Sequence, residues 1–402
     1  MKNPTKYRGK ELEYIQAVLN SENWSSVAGS WNQVLEQHLA EKFGVNHAVA
    51  FNSGTSTLHA ALEACGVGEG DEVISPALTV IMDTTATIHA NAIPVYADIN
   101  PDTFTVDPAD IERKITPRTK AIIVVSLYGL PCDMDPIMAL AAKHNIAVIE
   151  DNAQCFMSRY KGKLTGTIGH IASYSFENTK HISCGEGGAI ITNDEQMAMQ
   201  ARKIGGHGFK NLQASEGRVR LRQDVFQNPN YRRHDVLGWN YRLSEFNAAI
   251  ALAQLEKSAE LVNLRIQSAE CFIEAMRNCD YLIPQHTPEE YENSYYTLGV
   301  KYEGKDSIGV SWEEFRKKYI ELGGDGIYGA WAVPYLEPMV AEKQFAYRNP
   351  SQYNNLNFEK GLCPVAESIQ PKIMQFKTNY RDLELANYKA TILNKTIEYF
   401  GS

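Results

Sequence analysis

Short apolar runs recur along the first half of the chain, with helical patterns between them. Ala48–Phe51, Glu72–Ile74, Pro94–Tyr96, Ala121–Val125 and Ile146–Ile149 read as buried strands, as do Ile171–Phe176 and Ala189–Ile191. Ser56–Ala64, Asp83–Ala90 and Met134–Lys143 carry helix-like spacing between them. This alternation predicts an α/β fold, a mostly parallel sheet with helices on both faces. Such sheets bind ligands beyond the carboxyl ends of their strands.

The pattern then changes. From Ser244 to Arg277, Leu252, Leu255, Leu261 and Leu264 recur at roughly helical spacing, which predicts one long helix with Ser244 as N-cap. Strand-like Tyr295–Val300, amphipathic Trp312–Leu322 and a last helix over Leu383–Phe400 follow. The expected division is a large α/β domain over 1–250 and a smaller α+β domain over 251–402, entered through the long helix. The polar stretch 206–235 is weakly periodic and reads as a long loop, a common carrier of function.

Composition narrows the class. The chain has 402 residues, 44% hydrophobic and 22% charged, enough for two cores. A net charge of −9 without a basic block argues against nucleic-acid binding. No apolar run approaches the length of a membrane span, and the N-terminus lacks a signal-peptide core. Seven scattered cysteines with no CxxC pair point to reduced thiols and a cytoplasmic protein. The ten histidines have no metal-ligand spacing, so no metal is expected.

Four segments carry candidate chemistry. Lys180 stands between two strand-like runs and precedes the small-residue run Cys184-Gly185-Glu186-Gly187-Gly188. A lysine so placed is either an ordinary solvated charge or a desolvated amine, and desolvation suits Schiff-base chemistry. Asn52-Ser53-Gly54-Thr55-Ser56 joins a strand to a helix and forms either an anion site or a plain N-cap. Asp151 ends a strand, where a carboxylate needs a partner. A protonated pyridine nitrogen suits it, and Gln154 is placed to donate to an oxygen on the same ring. The bland reading of Asp151 is a capping acid. Gly238-Trp239-Asn240-Tyr241-Arg242 offers Asn and Arg to an anion, or only a helix cap.

Taken in order, these segments resemble the DegT/StrS-type sugar aminotransferases. These are pyridoxal-phosphate (PLP) enzymes of the aspartate aminotransferase fold, fold type I. Further matching pieces are Gly68-Glu69-Gly70-Asp71, Leu127-Tyr128-Gly129, Gly185-Glu186-Gly187-Gly188 and Cys363-Pro364-Val365-Ala366-Glu367. The resemblance spans about residues 28 to 370. It implies that Lys180 holds the cofactor as a Schiff base and shuttles a proton. Asp151 then pairs with the pyridine nitrogen, Gln154 contacts the ring oxygen, and Gly54, Thr55 and Ser175 hold the phosphate. Asn240 is implied to serve the site of a second subunit, in a homodimer with composite sites.

The resemblance further implies amino transfer from glutamate or glutamine to a nucleotide-linked keto-sugar, in amino-sugar or polysaccharide biosynthesis, with pyridoxamine phosphate as the charged cofactor. Open alternatives are an inositol ketone, a small phosphorylated ketone, sugar 3-dehydration and a non-catalytic PLP-fold regulator. The 3-dehydratases carry His where Lys180 stands. This chain departs from the pattern at Val80, where an aromatic usually stacks on the cofactor, and at Ile81, Met82 and Asp83. It also departs at Ser126, Cys155-Phe156-Met157-Ser158 and Gln375-Phe376. All are expected where a substrate pocket is shaped.

Overall fold

The computed structural model describes residues 4–217 and 222–401. Met1-Lys2-Asn3, Ser402 and residues 218–221 of the polar stretch lie outside the described residues. Fourteen strands are described. They are β1 (His47–Phe51), β2 (Glu72–Pro76), β3 (Ile93–Ala97), β4 (Thr119–Val125), β5 (Ala147–Asp151), β6 (Arg159–Tyr160), β7 (Lys163–Leu164), β8 (Ile171–Ser175), β9 (Gly188–Thr192), β10 (Leu282–Pro284), β11 (Tyr291–Glu292), β12 (Leu298–Tyr302), β13 (Tyr328–Gly329) and β14 (Ile373–Phe376).

Seven strands form the large sheet, in the order β1-β9-β8-β5-β4-β2-β3. Neighbours from β8 to β3 are parallel, and only β9 runs against the rest. Side-chain alternation shows why these runs are apolar throughout. Val49, Phe51, Ala121, Ile123 and Val125 enter one core cluster. Ala48 and Ala50 enter a second, and Ile122 and Val124 a third, on the opposite side. Both faces are covered, as the sequence pattern predicts.

A smaller sheet, β10-β12-β14-β13, packs its own core against helices Ser258–Met276, Trp312–Glu321 and Leu383–Gly401. Residues 333–369 do not join that core. Tyr335, Tyr353, Cys363 and Ala366 pack with the large sheet instead. Asp98, just after β3, accepts from the backbone N–H of Val365 (2.9 Å) and Ala366 (2.8 Å) and so ties this segment down. Arg202 makes a bidentate pair with Glu36 at 2.9 and 3.0 Å, buried between the helices Trp31–Phe43 and Glu195–Gly205.

Three expectations need correction. The single helix over 244–277 is two, Glu245–Glu256 and Ser258–Met276. Lys257 leaves helical geometry (φ −106°, ψ 15°), and the Ser258 hydroxyl donates to the Leu255 carbonyl at 2.8 Å, competing with the helix ladder. The strand predicted from Tyr295 begins at Leu298. Tyr295 is left-handed (φ 46°), held by a 2.8 Å bond from its N–H to Asn293 Oδ1. The stretch 206–235 is not loop throughout, because it contains a short helix, Gln223–Gln227.

Candidate active site

Beyond the carboxyl ends of the parallel strands lies a cavity of about 400 Å³. Several chain segments converge on it. Ser53, Gly54 and Thr55 follow β1. Leu78, Thr79, Val80 and Met82 follow β2. Asp151 ends β5, and Ser175 ends β8. Lys180 hangs from the loop that joins β8 to β9.

Each group has a local cause. The helix Gly54–Ala64 starts at the cavity, capped by a 3.1 Å bond from the Ser56 N–H to the Ser53 hydroxyl. Its first N–H groups have no partner within the helix, which makes an anion site. A Cβ at Gly54 would stand 2.8 Å from Ser175 Cβ, so only glycine lets the helix start lie against the end of β8. Strand alternation separates the adjacent acids Glu150 and Asp151. Glu150 turns to the loop 166–169 and accepts from the N–H of Gly166, Ile168 and Gly169 at 2.6–2.9 Å. Asp151 faces the cavity and accepts from the Ala153 N–H at 2.9 Å. Burial pushes the Asp151 carboxyl up, opposed by that N–H and by the charge on Lys180. Gln154 accepts from the Tyr128 N–H at 3.1 Å through Oε1, which leaves its NH₂ for a ligand.

The Lys180 loop is closed at its base by the Phe176 N–H to Gly187 carbonyl bond (2.8 Å). Arg265 straps it from outside, donating to the carbonyls of Thr179 (2.6 Å) and Lys180 (3.3 Å). Lys6 donates to the same stretch, and burial with the nearby charge of Arg265 pushes its ammonium down to about 7. The Lys180 Nζ stands 4.6 Å from the centre of the Tyr296 ring, a cation–π contact. A desolvated slot is not what forms around Lys180. The loop carries it out of the strand layer, and the lysine is half-buried on an open cavity. His181 is buried and bonds the Ser294 carbonyl at 3.0 Å, a packing role.

Gly54, Thr55, Val80, Asp151, Gln154, Ser175 and Lys180 thus line one cavity, as the sequence reading places them. Asn240 does not line it. It is exposed on the chain's surface, beside exposed Leu237 and Trp239. Of the departures from the family pattern, Val80, Met82 and Gln375 line the cavity. Ile81, Asp83, Ser126, Cys155, Phe156, Met157, Ser158 and Phe376 do not, because they pack into the layers around it, and this corrects the expectation that all shape the pocket. Tyr296, Trp331, Thr179, Glu177 and Glu186 line the cavity without having been singled out. Nothing local in Tyr296 or Trp331 marks them, since both come from distant segments. Glu177 and Thr179 were legible as neighbours of Lys180.

Comparison with known proteins agrees with this geometry. GDP-perosamine synthase of Escherichia coli O157:H7 is 38% identical over 289 residues, 72% of this chain and 73% of that protein. A UDP-N-acetyl-3-dehydro-alpha-D-glucosamine 3-aminotransferase of Acidithiobacillus ferrooxidans is 32% identical over 376 residues, 93% of this chain and 90% of that one. The crystal structure of an aminotransferase from Psychrobacter cryohalolentis superposes with a TM-score of 0.86 at 28% identity, covering 100% of both chains. The model of the DegT/DnrJ/EryC1/StrS aminotransferase family matches residues 6–359. With the lysine, the strand-end carboxylate and the helix N-terminus on one cavity, the chain belongs to that family and is a PLP-dependent aminotransferase.

Proposed function

We propose that the chain transfers an amino group from glutamate or glutamine to a keto-sugar carried on a nucleotide. The observation that carries the reading is the convergence of Lys180, Asp151 and the Gly54 helix start on one cavity. The residues present fit PLP. The helix N-terminus, with Thr55 and Ser175, suits a phosphate. Asp151, with one oxygen held by Ala153, suits a protonated ring nitrogen, and the Gln154 amide suits the ring oxygen. Val80 offers an aliphatic face where an aromatic commonly stacks.

Bound there, the cofactor supplies an amino-accepting carbon and a ring that takes up the electron pair left by a departing proton. The chain does the rest. Lys180 Nζ would hold the cofactor and, when free, would be the amine that accepts and returns the proton. Asp151 keeps the ring nitrogen cationic. Asp151 and Gln154 would hold the ring from its nitrogen and its oxygen. Lysine at 180 favours amino transfer over sugar 3-dehydration. The exposed Asn240, next to exposed Leu237 and Trp239, supports a homodimer in which Asn240 reaches the partner's phosphate site.

The nucleotide-linked substrate is supported by the two relatives, one named for a GDP-linked and one for a UDP-linked sugar. A panel of ketones tests it. The holoenzyme is first charged with glutamate or glutamine, which should bleach its visible absorption. A keto-sugar nucleotide should restore that absorption. Restoration by a cyclitol ketone or a small phosphorylated ketone alone would replace the substrate assignment. Failure of every amino donor to bleach the band would remove the transaminase reading.

A further inference from the structure

Asp83 is a second carboxyl group behind the site. It lies in the first turn of the helix Met82–His89 and is completely buried. It does not line the cavity. Its Oδ2 accepts from the Thr79 hydroxyl at 2.7 Å. Its Oδ1 accepts no hydrogen bond among the described residues. The neighbour within hydrogen-bonding reach is the Asp151 carboxyl, which is also buried. Two buried carboxylates in contact do not both ionise, because each loses hydration and repels the other. A shared proton removes both costs, and the orphaned Oδ1 is the atom on which it would sit.

We propose that Asp83 is a positioning residue, a neutral carboxylic acid that donates its proton to Asp151 and so fixes the carboxylate that faces the ring nitrogen. The inference rests on the reading of Asp151 given above. The surroundings favour this distribution of charge. Burial and the Asp151 charge push the Asp83 carboxyl well up. The Lys180 charge favours ionisation of Asp151, the member of the pair that it faces. Tyr96 on β3, another titratable group near Asp83, bonds the Thr84 hydroxyl at 3.0 Å and is itself pushed up by burial. The N-terminus of the helix Met82–His89 favours an anion at Asp83. That effect is the smaller one, since Asp83 is shut off from bulk solvent with a like charge beside it.

Infrared difference spectroscopy tests this on the full-length protein, with and without cofactor. At about pH 8, some four units above the ordinary aspartate value, the wild type should show a protonated-carboxyl carbonyl band that Asp83→Asn lacks. Glu150 is present in both proteins and cancels. In the same proteins Asp83→Leu, which removes the donor, should weaken cofactor binding about tenfold, the loss of one buried hydrogen bond to a charged group. Asp83→Asn, whose amide still donates, should recover binding to within about threefold of wild type. A band that is absent, or unchanged in Asp83→Asn, overturns the proposal even if Asp83→Leu fails to fold. Wild-type affinity in a folded Asp83→Leu also overturns it. The infrared reading needs no substrate, so a failed ketone panel with the band present would sink only the proposed function.

Discussion

Lys180→Ala should lose turnover by about 10⁴-fold or more, the upper range for a general acid–base group and worth about 5.5 kcal/mol of barrier. The site has no stand-in. Among the described residues lining the cavity, Lys180 is the only lysine. His181 is turned away onto the Ser294 carbonyl. The covalent link between chain and cofactor, trapped with borohydride and read by mass, should vanish with the activity. The fold should survive, because Arg265 grips the loop through the backbone carbonyl of residue 180 and needs no side chain there. Subunit mixing sharpens the result. Inactive Lys180→Ala and inactive Asn240→Asp should, after exchange, form heterodimers in which one of two sites carries both lesions and the other carries none. Up to half of the heterodimer sites should then work. Wild-type turnover in Lys180→Ala would end the site assignment. No recovery after verified exchange would end the role of Asn240 across the interface.

Asp151→Asn should keep the cavity shape and lower kcat by about 10²- to 10³-fold, or about 2.7–4 kcal/mol, the range for one preorganised electrostatic contact. The amide oxygen can still accept from the Ala153 N–H, so the backbone turn is preserved. What would be lost is the negative charge proposed to hold a proton on the ring nitrogen. The loss should appear in kcat more than in substrate KM, because that charge matters most when the ring carries extra electron density. Unchanged kcat would show that Asp151 is only a capping acid.

The pattern of apolar runs was enough to read the parallel sheet, because its strands are buried on both faces and so are apolar at consecutive positions. Val49 and Phe51 serve one core while Ala48 and Ala50 serve another. Candidate site residues at strand ends were legible for a related reason. A carboxylate or a glycine just past a buried run is costly unless something there needs it. Asp151 and Gly54 stand out in this way, Ser175 came only with the family resemblance, and the cavity gathers all three.

Pattern failed where a hydrogen bond that periodicity does not register outweighed local preference. The helical periodicity runs through Lys257, yet the ladder breaks there once the Ser258 hydroxyl takes the Leu255 carbonyl. Nor does periodicity say that Lys180 leaves the strand layer, since that depends on a loop pinned by Arg265 from 85 residues away in sequence.

The sequence by itself determined the alternation of strands and helices, the family and the lysine, because these rest on local order and on neighbours within a few positions. The tertiary structure alone decided which side chains meet. It brought Tyr296 under Lys180 and sent Asn240 to the surface. It also set Asp83, in the helix that follows β2, against Asp151 at the end of β5. The reason is physical. The sheet order places β2 two strands from β5, with β4 between them, so chain distance does not predict which strand ends share a cavity. A buried carboxyl is read as a partner or a liability only once its neighbour is known.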